Sequence, residues 1–133
     1  MSYIIAYVTI LIVFGVIDAG WLSTMGPVLY RPTLADILLP SLRIAPAIAF
    51  YLLYPIGVVV FAVLPGLRSG ALTTAFMLAL LFGALAYATY DLTNYATLRN
   101  WTLQLTIIDI CYGAAASGIA AVLATLAARS IAR

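Results

Sequence analysis

The chain has 133 residues, of which 66% are hydrophobic and 8% charged, with a net charge of +2. A soluble domain is about a quarter charged, so this composition excludes a water-covered fold and suits a bilayer, whose lipid tails solvate apolar side chains. The charged set holds arginine and aspartate with no histidine, so histidine-ligated haem and histidine zinc sites cannot be built from this chain alone. No basic run suits nucleic acid or a polybasic lipid patch. The single cysteine, Cys111, cannot make an internal disulfide or a multi-cysteine metal site.

The first predicted helix runs from Tyr3 to Met25 and carries one charge, Asp18. It is too long for a signal-peptide core and lacks a basic start and a small-residue cleavage site, so it reads as a retained helix. Gly26-Pro27 is expected to stop it. The segment from Pro27 to Pro40 is the one long connection. Within it Thr33 and Asp36 are spaced like a capping box, and Leu34, Ile37 and Leu38 share a face, which predicts a short helix lying in the membrane interface. The second helix is expected from Arg43 to Leu64, kinked at Pro55 and ended by Pro65-Gly66, with a turn at Arg68-Ser69-Gly70. The third runs from Ala71 to Tyr95 and carries Asp91; Arg99-Asn100-Trp101 forms the next loop. The fourth runs from Thr102 to Ala127 and carries Asp109, and Arg129 and Arg133 follow it.

Each run is continuous over ~20–25 apolar residues, enough to span a membrane as a helix and unlike the ~10-residue alternation of barrel strands. The predicted fold is therefore an all-α integral membrane four-helix bundle, a single transmembrane domain over 1–133, with a short interfacial helix between helices 1 and 2. An even number of spans puts both termini on one side, with Arg68, Arg129 and Arg133; the other side holds Arg31, Arg43 and Arg99. That balance is a tie under the positive-inside rule. The C-terminal pair, close to a span end, favours cytoplasmic termini.

The functional signal is the depth of the aspartates. In an up-down bundle Asp18, Asp91 and Asp109 all fall about 6–11 Å inside the same boundary, at 1.5 Å per residue. A charged group in the bilayer costs ~2.5–3.5 kcal/mol at the centre and less near the interface, so all three are expected to face the bundle interior. Spacing agrees: Gly83, Tyr87, Tyr90, Asp91 and Asn94 share one face of the third helix, and Thr102, Thr106, Asp109, Gly113 and Ser117 one face of the fourth. Asp18 neighbours Phe14, Trp21 and Met25. Gly113, Ser117 and Ala121 form a small-xxx-small ladder that admits a close helix neighbour. Tyr30, Trp101 and Tyr95 suit an interfacial aromatic belt, and Tyr51 and Tyr54 read as packing residues.

The stretch from Tyr87 to Trp101, with Tyr90-Asp91-Leu92-Thr93-Asn94 at its centre, resembles a bacterial family of small membrane proteins classified as a domain of unknown function (DUF2177-like). The resemblance extends to Asp18 with Trp21, to Phe50 through Tyr54, and to Asp109 with Gly113, where Tyr112 stands in place of the family's tryptophan. It implies a bacterial inner-membrane protein and carries no activity.

Two roles compete for the aspartates. They either accept hydrogen bonds from Tyr87, Tyr90, Asn94, Trp21 or Arg43 and fix helix register, or they line a pocket for a cation, a proton or a head group. The candidate ligand-binding set is Asp18, Trp21, Tyr87, Tyr90, Asp91, Asn94 and Asp109. No metal-ligand spacing, phosphate loop or catalytic triad accompanies it, and no cofactor is named by the sequence. Three functions fit: binding or passage of a small polar or cationic ligand or lipid head group, a non-catalytic accessory subunit of a larger membrane complex, or acid–base chemistry on membrane lipids. The expected partners are membrane lipids and a second copy or a larger complex, with no nucleic acid.

Overall fold

A computed structural model of the chain describes residues 1–131; the Arg133 used above for orientation lies outside them. Four helices are long and apolar enough to cross a membrane: α1, Ser2–Leu34; α2, Ile44–Ser69; α3, Leu72–Thr97; and α4, Leu103–Ile131. No strand occurs among the described residues. Gly70 and Ala71 alone separate α2 from α3, and residues 98–102 separate α3 from α4, so these neighbours run antiparallel.

Two helix ends run well past the sequence reading. Gly26-Pro27 does not stop α1, and Pro65-Gly66 does not stop α2. A proline inside an α-helix lacks its N–H and collides with the carbonyl four residues back. Here a π turn stands before Pro32 and another before Pro65, over Gly26–Tyr30 and Val59–Val63. In each, the residue just before the proline bonds five residues back: Arg31 N–H to the Gly26 carbonyl, Leu64 N–H to the Val59 carbonyl. The wider turn takes up the proline and the helix continues. The helical segment Arg31–Leu34 thus prolongs α1, and it carries no side-chain cap. The expected capping box is not formed: Thr33 lies inside the segment, and the Asp36 carboxylate accepts from the Asn100 amide instead. The stop that does end α2 is Gly70, whose φ of 74° is the left-handed cap geometry that glycine adopts without strain.

Burial follows helical periodicity. On α1 the residues Ile4, Val8, Ile12 and Val16 face outward, while Ala6, Ile10, Phe14 and Asp18 face in. The outer surface of the bundle is built of large apolar side chains of this kind, which meet lipid. The inner seam between α3 and α4 is built of small ones. A Cβ on Gly83 would come within 2.7 Å of the Gly113 carbonyl oxygen and 2.6 Å of Ser117 Oγ; one on Gly113 would lie 2.2 Å from the Tyr87 ring. Gly83 therefore faces Ser117, and Tyr87 faces Gly113. Continued by the same four-residue step, this register aligns the buried Ala79 and Asp91 of α3 with the buried Ala121 and Asp109 of α4, while Ala75 packs on Gly66 of α2. The ladder expected at Gly113, Ser117 and Ala121 is thus the docking surface for α3. At the far end, Leu29 and Leu34 of α1 pack on Trp101 and Leu105. Trp101, expected in an interfacial belt, is buried there.

Candidate functional site

Helix α1 brings Asp18 inward on the stripe of Phe14, and α4 brings Asp109 inward one turn before Gly113. Both carboxylates are buried, and both are held by phenols. Tyr51 of α2 and Tyr112 of α4 donate to the two oxygens of Asp18, Tyr112 at 2.8 Å. Tyr30 donates to Asp109, and its own oxygen accepts from the Trp21 indole N–H at 2.8 Å. Trp21 stacks on Tyr112, with ring centroids 4.2 Å apart and planes 9° from parallel. One connected set of aromatic donors therefore spans the two carboxylates.

These groups form the polar part of a cavity of about 620 Å³. Asp18, Asp109, Trp21, Tyr30 and Tyr112 line it together with Tyr54, Tyr87 and Tyr90. Its remaining wall is apolar: Leu22, Leu34, Leu38, Leu42, Ala86 and Phe50. Tyr54 is tied back to Ser117 by a 2.7 Å hydrogen bond. The Tyr87 ring rests on Gly113 and presents its edge to Tyr112. Gly113 is the position that makes room for it, since any side chain there would enter the ring.

Of the seven expected site residues, the structure brings Asp18, Trp21, Tyr87, Tyr90 and Asp109 to this cavity. Tyr90 stands at its edge, half-exposed and edge-on to Trp101 at 5.4 Å. Asp91 is fully buried behind Asp109 rather than on the cavity wall. Asn94 is half-buried and lies away from the cavity-lining set. The donors to the carboxylates are not those the sequence suggested. Tyr30, Tyr51 and Tyr112 hold them, where Tyr87, Tyr90, Asn94 and Arg43 were expected; Trp21 acts one step removed. Arg31, Arg43 and Arg99 are exposed. Two of these donors share the depth of the aspartates with Tyr87 and Tyr90, so depth narrows the choice of phenols without naming the donors. Tyr51 sits two turns into α2 and Tyr112 one turn past Asp109, at the depth of the aspartates.

Among the described residues, no group of three acidic or thiol side chains is placed to hold a metal ion. Cys111 is exposed and stands apart from the cavity.

The family model described as "Predicted membrane protein (DUF2177)" matches residues 3–126. The chain belongs to that family. No curated protein and no solved structure matches the sequence. The DUF2177 match spans all three buried aspartates, so the site described here, from Asp18 to Tyr112, lies wholly within the matched residues.

Proposed function

We propose that this DUF2177 protein is a membrane-embedded binding protein whose cavity takes a cationic or hydrogen-bond-donating head group carrying an apolar tail. The observation that carries this reading is the division of the cavity: two phenol-held carboxylates on one wall and leucines with Phe50 on the other. Ionisable groups inside a membrane are costly and mark function by default, and a mostly apolar cavity with a few convergent polar groups is the usual form of a ligand site. Carboxylates attract a cation and repel an anion, whereas arginine forks would select phosphate; among the described residues no arginine lines the cavity. In the bacterial inner membrane, with both termini cytoplasmic beside Arg68 and Arg129, the cavity would lie toward the outer face.

The test uses purified protein in nonionic detergent, with Trp101→Phe so that Trp21 is the sole tryptophan. Titration with dodecyltrimethylammonium is expected to change its fluorescence saturably. Dodecyl phosphate, anionic with the same tail, is expected to leave it unchanged. Asp18→Asn and Asp109→Asn each weaken the response. Equal response to both tails, or indifference to both substitutions, would overturn the reading.

A further inference from the structure

Asp91 is the group that the cavity does not use. It is fully buried, and neither carboxylate oxygen has a hydrogen-bond donor among the described residues. The seam register, with Gly83 on Ser117 and Tyr87 on Gly113, sets it opposite Asp109 one turn further on. An ionised carboxylate only accepts hydrogen bonds; a protonated one has an O–H to give. Two ionised carboxylates face to face would therefore leave Asp91 with nothing to bond to and with a like charge beside it, in a setting where a buried unpaired charge is among the costliest groups a protein can hold. One proton between them resolves both problems: Asp91 donates, and Asp109 accepts from Asp91 as well as from Tyr30.

We infer that Asp91 and Asp109 form a single-proton site across the α3–α4 seam, and that its occupancy sets the charge presented to the cavity. The ionisable groups facing the pair are Tyr30 from α1, Tyr90 on the helix of Asp91, and Tyr87, which is reached from α2 by Tyr54. All are phenols, so none supplies a positive charge. Asp18 differs: with two phenol donors it is satisfied as an anion. With the proton bound, the Asp91–Asp109 pair carries one negative charge; with the proton released to solvent, it carries two. A cation in the cavity and a proton in the seam therefore compete. Raising the pH tightens cation binding, and by reciprocity cation binding expels the proton.

The second half of this inference rests on the cation-binding reading above; the first does not, and the experiment separates them. Infrared spectra of the purified protein read the carbonyl stretch of a buried protonated carboxyl directly. The wild type is expected to show one such band at neutral pH. Asp91→Asn, whose amide supplies the same donor permanently, loses it. Asp109→Asn shifts its frequency, because the acceptor has become an amide. Asp18→Asn leaves it in place. A wild type without the band, or a band unmoved by both Asp91→Asn and Asp109→Asn, overturns the proton site whether or not any ligand binds. Should Asp91→Asn fail to fold, the Asp109→Asn shift decides alone. In parallel, affinity for dodecyltrimethylammonium is measured against pH. It is expected to rise about tenfold as the band fades, within the usual range of coupling between two sites, and to stay flat in Asp91→Asn. A pH-dependence that survives Asp91→Asn overturns the competition, and absence of any binding sinks the cation-binding reading while the band still decides the pair.

Discussion

The two halves of the α3–α4 seam follow one register and end in opposite results. Toward the termini, the small residues Ala79 and Gly83 lie in register with Ala121 and Ser117, and the backbones close on each other until no Cβ fits at Gly83. Toward the other face, the next two steps bring Tyr87 onto Gly113 and Asp91 onto Asp109, and the bundle opens into a cavity. The step is the same, and only side-chain size and polarity change. Close packing in a membrane comes from small residues and van der Waals contact, since lipid offers apolar surfaces no gain from burial. Where the chain abandons small residues at the seam, it gives up that contact and holds polar groups instead. The tight half is the support, and the open half is what it supports.

Substitutions can break that contrast at either end. The largest effect is expected at the tight half. Gly83→Ala drives a methyl into the Gly113 carbonyl, a backbone atom that cannot turn aside, and should cost about 1–3 kcal/mol, the usual penalty of overpacking; unfolding in mixed detergent micelles measures it. An intermediate effect is expected where the halves communicate through hydrogen bonds. Tyr112→Phe leaves Asp18 with Tyr51 as its remaining phenol donor and should cost on the order of 0.6–1.7 kcal/mol, from the average to the largest measured interhelical polar contact. The same unfolding assay reads it, and a loss well above that range would mean that Trp21, stacked on Tyr112, moves too. The smallest effect on stability belongs to the open half. Leu42→Ala, on the exposed apolar wall, should stay within about 0.5 kcal/mol while weakening the Trp21 fluorescence response to dodecyltrimethylammonium. If Leu42→Ala destabilises as much as Gly83→Ala, the two halves are not different in kind.

The tight half was legible in the sequence and the open half only in outline. Glycine, serine and alanine at four-residue spacing on α4 announce a close neighbour, because few residue types permit one. Aspartates in an apolar helix announce an interior face, because lipid cannot solvate them. Neither signal names the partner. A tyrosine suits packing, interface and donor roles equally well, so Tyr30, Tyr51 and Tyr112 could not be separated from Tyr87, Tyr90 and Tyr95 without the crossing geometry. The helix ends failed for another reason. Pro65 is a stop signal in water, where released backbone groups can bond to solvent. In a bilayer those groups must be satisfied internally, and widening the turn costs less than leaving the helix.

The hydrogen bonds to Asp18 also say something about how the protein reaches the membrane. Synthesis proceeds from the N-terminus, so α1 emerges before any helix that can satisfy its carboxylate. Tyr51 is the earlier donor to be made, and Tyr112 follows only after α3 and most of the translation are complete. The nascent α1–α2 hairpin can thus shelter its acid through one phenol while the final partner is still in the ribosome. Tyr51 would then matter more to insertion than to the finished bundle, and its loss would show in the yield of integrated protein before it showed in the stability of what had been integrated.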